Sequence, residues 1–252
     1  LIKRVLKKMI SWNQWLIVVP ARMQSTRLPR KPLADLGGKP MIVRVYERLK
    51  PFEEKGATLV IATDDSDILD VCQKHSVPAL MTRVDHKSGT DRCAEVAKNF
   101  DKPFVLNVQG DEPFVNLDDL QELLAKMEKD GDPMGTMVHR NEKESEYKNP
   151  NCVKALMNDQ GRALYFSRSP LPYYREPTPF GGFWQHIGVY AFTKKGLLAF
   201  CQLPQHPLEI AESLEQLRAL GSGLSLSMTV AKHPSLGIDT PQDLEAARAR
   251  IR

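Results

Sequence analysis

Apolar stretches alternate with polar, loop-forming stretches along this 252-residue chain. Short apolar runs predict buried strands, and apolar residues recurring at i, i+3, i+4 and i+7 predict helices. On this basis we predict strands over residues 15–19, 57–62, 77–81 and 104–108, and helices over residues 40–50, 68–75, 94–99 and 117–129. Residues 83–93 are interpreted as a polar loop that leads into the third of these helices. Such regular alternation favours a parallel sheet with helices on both faces.

The second half of the chain has a less regular pattern. Many Pro, Gly and Tyr residues lie in 130–185, and residues 169–182 contain too many helix and strand breakers for a regular element, which predicts a long loop or lid. We predict strands over residues 135–139, 152–157, 163–167, 186–192 and 224–230, and helices over residues 194–201, 207–220 and 242–251. Residues 15–252 are interpreted as one domain, preceded by a basic, amphipathic appendage at 1–14 with no assigned role.

The composition excludes several classes of protein. Hydrophobic residues make up 42% and charged residues 26%, as in an ordinary globular protein, and a net charge of +4 is too small to indicate a nucleic-acid binder. The four cysteines contain no C-x-x-C pair, which argues against a zinc site or a disulfide scaffold and favours a reducing cytoplasm. No apolar run approaches the roughly 20 residues of a membrane span, so we expect no stable membrane insertion. Attachment to a membrane surface through residues 1–14 is the alternative.

A basic loop follows the first predicted strand. It carries Arg22, Arg27, Arg30 and Lys31 and is braced by three prolines, which fix the backbone around the cations. Ligands of open α/β sheets bind at the carboxyl ends of strands, so this loop is a candidate site for a polyanion such as a phosphate chain. A solvated basic turn is the alternative. The glycine-rich phosphate motifs G-x-G-x-x-G and G-x-x-x-x-G-K-[ST] are absent from the sequence.

Asp111 lies directly after the buried strand at residues 104–108. Gly110 allows close approach of the backbone, and Pro113 stiffens the exit of the turn. Mg²⁺ typically binds one or two protein carboxylates and completes its shell with phosphate oxygens and water. Asp111 is therefore a candidate Mg²⁺ ligand, with a turn-forming Asx residue as the alternative interpretation.

A second carboxylate, Asp239, precedes the final predicted helix. Thr240 is the expected N-cap, Pro241 the first helical residue and Asp243 the capping-box partner. Asp239 has no such structural role, and it is the candidate second carboxylate of a metal site with Asp111.

Two further groups of polar residues have both a structural and a functional interpretation. In the predicted helix 207–220, Glu215 and Gln216 lie on a polar face that is either solvated or binds a polyhydroxylated substrate. His186 and Tyr190 are four residues apart on one predicted strand and therefore point to the same face. A strand histidine is more often a hydrogen-bonded structural residue than a catalyst.

Eight short motifs occur in order along the chain. They are VPARMQSTRLPRKPL at 19–33, ATDD at 62–65, SGTDR at 88–92, NVQGDEP at 107–113, FSR at 166–168, HIGVY at 186–190, LEQLR at 214–218 and GIDTP at 237–241. Taken together, they resemble the motifs of the 3-deoxy-manno-octulosonate (Kdo) cytidylyltransferases, and the resemblance extends over roughly residues 16–251.

The resemblance implies a fold and a reaction. The fold would be a three-layer, Rossmann-like α/β nucleotide-sugar-transferase domain with a mixed, mostly parallel sheet. Residues of about 135–205 would form a sugar-binding and dimerisation subregion of a homodimer. The reaction would join CTP and Kdo to give CMP-Kdo and pyrophosphate with Mg²⁺ as cofactor, for lipopolysaccharide biosynthesis. The alternatives are a different sugar acid, such as 8-amino-Kdo, and a non-catalytic nucleotide sensor.

The resemblance also implies roles for individual residues. The implied CTP-binding residues are Arg22, Arg27, Lys31, Ser88, Thr90 and Arg92. The implied Kdo-binding residues are Gln109, Arg168, His186, Tyr190, Glu215 and Gln216. The implied metal ligands are Asp111 and Asp239, and these two act in catalysis together with Arg22 and Lys31.

The basic loop departs from the family pattern at Arg30, where the family usually has Gly. The Arg30 side chain must either point away from the phosphates or add a further cation. If φ is positive at this position, the arginine is strained.

Overall fold

The computed structural model describes residues 10–25, 27–176 and 180–251. Thr26 of the basic loop and residues 1–9 of the predicted appendage lie outside the described residues. The strands are β1 (Trp15–Ala21), β2 (Thr58–Thr63), β3 (Ala79–Met81), β4 (Phe104–Asn107), β5 (Met134–Asn141), β6 (Lys154–Met157), β7 (Ala163–Ser167), β8 (Phe183–Thr193) and β9 (Leu226–Ala231). The helices are α1 (Met41–Glu54), α2 (Ser66–Lys74), α3 (Gly89–Lys98), α4 (Leu117–Asp130), α5 (Glu144–Lys148), α6 (Lys194–Gln202), α7 (Pro207–Glu212), α8 (Gln216–Gly221) and α9 (Pro241–Ile251).

The strands form a mixed sheet in the order β3-β2-β1-β4-β8-β5-β9. The pairs β2–β3, β1–β2, β1–β4 and β5–β9 are parallel, whereas β8 runs antiparallel to both β4 and β5. The β6–β7 hairpin joins the sheet beside β8. This arrangement confirms the predicted mixed, mostly parallel sheet, and it brings the carboxyl ends of β1 and β4 to the same edge. Within the described ranges, no helix is both long and apolar enough to cross a bilayer.

The central strand β1 is buried on both faces and organises two apolar layers. Trp15, Ile17 and Val19 pack into one cluster with residues of α1, α2 and α4. Leu16 and Val18 pack into a second cluster with residues of α3, α6 and α8. Because alternate side chains of a strand point to opposite faces, one apolar run fills both layers and gives the three-layer arrangement.

Residues 10–14, predicted as part of the appendage, contact the first cluster. The Trp12 ring lies 4.7 Å from the Phe52 ring, measured between centroids, and Lys55 Nζ lies 5.0 Å from the Trp12 ring. Ser11 N–H donates to Glu128 Oε1 at 2.9 Å. This part of the segment therefore packs on the domain.

Capping residues determine where several helices begin. Asp65 caps α2. Thr240 and Asp243 interact at the start of α9, as predicted. The helix predicted to begin after residue 93 instead begins at Gly89, because Ser88 and Asp91 form a capping box. The polar loop is correspondingly shorter than the predicted 83–93.

The prediction of one helix over residues 207–220 is wrong. The chain forms α7 and α8, separated by a left-handed residue, Ser213, with φ 51° and ψ 48°. Arg168 Nε donates to Glu212 O at 2.7 Å and its Nη2 donates to Ser213 O at 3.3 Å, so it binds carbonyls at the break. As a result Ile210 on α7 is 63% exposed, whereas Leu217 on α8 is buried.

The loop predicted over residues 169–182 is irregular throughout its described part. A small aromatic cluster anchors it to the domain. Tyr147 O–H donates to Pro172 O at 2.5 Å, and Tyr174 O–H donates to Gly182 O at 2.6 Å. Phe183 at the start of β8 packs against the same cluster.

We expect Ser213→Val to lower the free energy of unfolding by about 1–2 kcal/mol, because a β-branched residue is strained in the left-handed conformation. Ser213→Gly should leave stability unchanged or raise it slightly. Urea unfolding measures both, with Ser222→Val as the control at an exposed position of negative φ. Equal losses of unfolding free energy in the two valine variants would contradict the left-handed conformation assigned to Ser213.

Candidate functional site

Three segments meet near the carboxyl ends of β1 and β4. They are the basic loop after β1, the turn at residues 109–113 after β4, and residues 237–239 between β9 and α9. Ile238 N–H donates to Asp111 O at 2.9 Å, which joins the last two segments through their backbones. The side chain of Ile238 is buried together with Leu28 of the basic loop and Met41 of α1. Ile238 therefore also connects its own segment to the basic loop and to α1.

Lys31 lies between the two aspartates predicted as metal ligands. Its Nζ is 2.5 Å from Asp111 Oδ2 and 3.0 Å from Asp239 Oδ1. Arg27 Nη2 is 3.1 Å from the same Asp239 oxygen. The structure therefore brings together four residues that the sequence marked as candidates, although they come from three distant segments.

The surroundings of Lys31 favour its charged form. Burial by itself lowers the pKa of Lys31, but the charges and hydrogen bonds of Asp111 and Asp239 outweigh it and raise the pKa above its ordinary value. Lys31 thus carries a full positive charge between the carboxylates at neutral pH.

Arg30 adopts the left-handed conformation, with φ 54° and ψ 32°, at the position where the family usually has Gly. Its Nη2 lies 2.8 Å from Asp67 Oδ2 on α2, and both side chains are exposed. Arg30 thus pairs with a carboxylate of α2, and its positive φ is the conformation in which an arginine is strained. Arg22, in contrast, is exposed beside the site, and its Nη1 donates to Lys87 O at 3.3 Å.

The turn after β4 comes very close to β1. A Cβ on Gly110 would lie 3.0 Å from Pro20 O, so a larger residue here would require the backbone of β1 to shift slightly. The two segments enclose a cavity of ≈ 130 Å³ lined by residues that include Arg22, Lys31, Gln109 and Asp111. A second cavity of ≈ 570 Å³ is lined by Gln24, Ser25, Arg27, Lys31 and Asp239.

Glu112 is a buried carboxyl group that the sequence analysis did not single out. Ser235 O–H donates to Glu112 Oε2 at 2.5 Å, which fastens the segment before Asp239 to the turn that carries Asp111. Burial raises the pKa of Glu112 to about 7, with a smaller contribution from Asp111 and Asp239. Its position inside a recognised motif was the available signal, but a carboxylate in a turn gives no sign of burial.

A second polar cluster lies where α8 approaches β8 and α3. Thr90 O–H donates to Glu215 Oε2 at 2.7 Å, and Tyr190 O–H donates to Gln216 Oε1 at 3.1 Å. Burial raises the pKa of Glu215. The break at Ser213 explains this arrangement, because α8 begins as a separate helix after the break and its first residues face the sheet.

Two buried donors of this cluster have no hydrogen-bond acceptor within the described residues: Gln216 Nε2 and Asn107 Nδ2. Asn107 is fully buried, and its Oδ1 accepts a hydrogen bond from Gln109 Nε2 at 3.1 Å. It also lies directly opposite Tyr190 in the β4–β8 pairing. An unpaired buried donor is costly, so both groups are suited to a ligand with hydroxyl or carboxylate oxygens. Asn107 was not among the predicted site residues because it lies inside an apolar strand.

His186 and Tyr190 share a face of β8, as predicted, and their rings lie 5.6 Å apart between centroids. His186 Nε2 is 3.0 Å from Thr136 Oγ1, and the Phe166 ring packs against it at 4.9 Å. Burial lowers the pKa of His186 to about 3, which keeps the imidazole neutral at physiological pH.

Three predicted ligand-binding residues also make structural contacts. Ser88 caps α3 and lines a cavity of ≈ 460 Å³ together with Glu215. Arg92 is fully buried, with Nη2 2.8 Å from Asp64 Oδ2. Arg168 binds backbone carbonyls around the helix break. Their roles in binding CTP or Kdo stay predictions.

The chemistry of the paired aspartates fits a magnesium ion. Their oxygens already converge on one cation, the Lys31 ammonium group. Within the described ranges, no group of three or more His, Cys, Asp or Glu side chains is placed to hold a metal. A two-carboxylate site is what Mg²⁺ uses when phosphate oxygens and water complete its shell.

Comparisons with known proteins give the same assignment as the motifs. Residues 16–227 match the family model described as cytidylyltransferase. The 3-deoxy-manno-octulosonate cytidylyltransferase of Herminiimonas arsenicoxydans is 44% identical over 245 residues, which cover 92% of this chain and 96% of that protein. The protein of the same name from Wolinella succinogenes is 42% identical over 243 residues, with coverages of 92% and 97%.

Solved structures resemble the fold as well. The structure of CMP:2-keto-3-deoxy-manno-octonic acid synthetase complexed with CTP has a TM-score of 0.88 and 40% identity, and covers 94% of this chain and 98% of that chain. HddC from Yersinia pseudotuberculosis complexed with GMP-PN has a TM-score of 0.68 at 15% identity, with coverages of 94% and 99%, and shows likeness of fold alone. These similarities confirm both the resemblance found in the sequence and the fold class.

The low pKa of His186 predicts a pH dependence of stability. The unfolded chain takes up a proton at this residue below about pH 6.5, whereas the folded protein does so only near pH 3. The contribution of His186 to stability is therefore fully present above about pH 6.5 and is lost as the pH falls toward 3, by up to about 1.4 kcal/mol per pH unit. Urea unfolding at about pH 7, 6 and 5 should show a steeper loss for the wild type than for His186→Gln.

The control for this experiment is His75→Gln, which removes an exposed histidine. It should follow the wild-type pH dependence. Parallel curves for the wild type and His186→Gln would contradict the prediction.

Proposed function

The chain belongs to the family of 3-deoxy-manno-octulosonate cytidylyltransferases, and we propose that it transfers the cytidylyl group of CTP to Kdo through the site around Lys31. It is an enzyme of the cytidylyltransferase class, and the products are CMP-Kdo and pyrophosphate. The observation that carries the assignment of the site is the convergence of Asp111 and Asp239 beside the basic loop. This places paired carboxylates and several cations at one sheet edge, as transfer from a nucleoside triphosphate requires.

The basic loop is the proposed triphosphate-binding element. Arg22, Arg27 and Lys31 border the two cavities at this edge, and their charges suit the phosphate chain. As the bond to pyrophosphate breaks, negative charge grows on the leaving group, and cations already held in place stabilise it without reorganisation. The prolines of the loop support this preorganisation.

Asp111 and Asp239 are the proposed ligands of Mg²⁺. When bound, the ion supplies a Lewis acid at the α-phosphate and lowers the pKa of a hydroxyl group that it binds. The protein positions its two carboxylates through the Ile238–Asp111 backbone hydrogen bond and the Ser235–Glu112 contact.

The cluster around Gln216 is the proposed sugar-acid pocket. Glu215, Gln216, Tyr190 and Gln109 offer donors and acceptors for a polyhydroxylated acid, and the neutral His186 adds a polar group without a charge. These residues would orient the anomeric hydroxyl for in-line attack on the α-phosphorus of CTP, which is largely a matter of positioning. Arg168 belongs to this proposal as a partner of the sugar carboxylate.

We propose a homodimer in the cytoplasm as the working form, without nucleic-acid partners. The apolar Leu164 on β7 is 58% exposed and is the kind of surface that a dimer would cover. The four cysteines are free, which suits a reducing compartment, and the mild net charge gives no basis for binding nucleic acid. Sedimentation velocity on the wild type and Leu164→Asp tests the dimer.

We expect Asp111→Asn to reduce CMP-sugar formation at least about 100-fold while leaving the fold intact, because it removes one proposed metal ligand and its charge. The measurement is pyrophosphate release from CTP plus Kdo, with and without Mg²⁺, on samples of matched circular dichroism. The same assay with 8-amino-Kdo in place of Kdo identifies the preferred acid.

Asp101→Asn is the matched control, since this aspartate is exposed and distant from the turn that carries Asp111. It should retain wild-type turnover. Full turnover by Asp111→Asn in the presence of Mg²⁺ would refute the role of Asp111.

We expect Gln216→Ala to raise the KM for Kdo about tenfold or more and to change the KM for CTP less than about twofold. The reason is the loss of a buried hydrogen bond to the sugar acid, worth about 1.5 kcal/mol. Steady-state kinetics with each substrate varied in turn measures the two KM values separately. Gln121→Ala on α4 is the control. Equal rises of the KM for Kdo and the KM for CTP in Gln216→Ala would argue against a sugar-specific role of Gln216.

A further inference from the structure

The Lys31 ammonium group occupies the position between the two carboxylates that the proposed metal ion would need. It contacts Asp111 Oδ2 at 2.5 Å and Asp239 Oδ1 at 3.0 Å. Its side chain is only 17% exposed, against 25% for Asp111 and 44% for Asp239. In this structure Lys31 therefore acts as an internal cation that neutralises part of the charge of the site.

This contact sets up competition between cations. An ammonium group and a divalent ion that share the same oxygens would lie a few ångströms apart and repel each other strongly. The ammonium group is tethered to the loop, so its effective concentration at the carboxylates is high and does not fall on dilution. A metal ion arriving alone must displace it, and the displaced charge then needs another anionic partner.

The triphosphate would provide that partner. Lys31 lines the cavity that contains Arg22 and Gln109 as well as the cavity that contains Arg27 and Asp239. A flexible lysine stem reaches both, whereas the backbone is fixed: Leu33 N–H donates to Arg30 O at 2.9 Å, and Ala34 N–H donates to Lys31 O at 3.1 Å. A movement of the side chain alone is sufficient.

We propose that Lys31 is a tethered counter-ion that makes metal binding at Asp111 and Asp239 depend on the triphosphate. The metal site of the free protein is occupied by the lysine, and CTP releases it by drawing the ammonium group to the phosphates. Metal and nucleotide therefore bind with positive coupling, and the coupling is the same in both directions. This inference rests on the proposed metal site and adds its regulation.

The test measures Mn²⁺ binding by electron paramagnetic resonance, with and without CTP and in the absence of any sugar acid. Three variants each remove one positive charge from the same loop: Lys31→Met, Arg27→Met and Arg30→Met. Without CTP, we expect Lys31→Met to bind Mn²⁺ between roughly 5- and 150-fold more tightly than the wild type. Arg27→Met should show a smaller gain, because within the described residues Arg27 forms an ion pair with Asp239 but not with Asp111, and its side chain is 59% exposed. Arg30→Met should match the wild type, since Arg30 pairs with Asp67.

The coupling itself is the second readout. In the wild type, CTP should tighten Mn²⁺ binding, and in Lys31→Met this gain should shrink. The inference is wrong if the wild type and Lys31→Met bind Mn²⁺ equally tightly without CTP. It is also wrong if all three variants gain the same affinity for Mn²⁺, because this would indicate only a long-range effect of net charge.

Asp111→Asn separates this inference from the proposed function. If that variant binds Mn²⁺ with CTP as tightly as the wild type does, the proposed metal site is wrong. If it loses the ion while Lys31→Met gains nothing, only the counter-ion role fails. If Lys31→Met does not fold, Lys31→Gln replaces it in the same measurements. The wild type alone also tests the inference: if CTP leaves its affinity for Mn²⁺ unchanged, the inference is wrong.

Discussion

The structure of the site depends on one electrostatic constraint: two aspartates from distant segments share the single positive charge of Lys31. Carboxylates this close repel each other unless a cation lies between them. The sheet brings the turn after β4 next to the loop after β1, and the Ile238–Asp111 hydrogen bond adds the segment before α9. Packing thus assembles the charges, and the ammonium group of Lys31 offsets the repulsion between the two carboxylates.

Most of the fold was predictable because its signals are local. The apolar run of β1 and the caps Asp65 and Thr240 depend only on neighbouring residues, and the corresponding elements formed within a few positions of the predicted bounds. The break at Ser213 was not predictable in this way. Arg168, which binds the carbonyls at the break, follows β7 in another part of the sheet. No sequence pattern within residues 207–220 indicates this interaction.

The same distinction applies to the site. The basic loop and the two aspartates were identified from charge, proline and helix-cap chemistry, and the family motifs added the sugar-pocket candidates. Glu112 and Asn107 were missed because their importance comes from burial against other segments, which their own neighbours do not reveal. The direction of Arg30 was left open for a related reason, since its partner Asp67 lies on α2.

The pairing of Lys31 with Asp239 also has a consequence for how the molecule folds. The two residues are separated by 208 positions, and the cluster around Ile238 likewise joins early and late parts of the chain. Contacts of such long range carry a large loop-closure entropy and form slowly. The paired carboxylates should therefore appear only after the sheet is complete, so that catalytic competence reports the final stage of refolding.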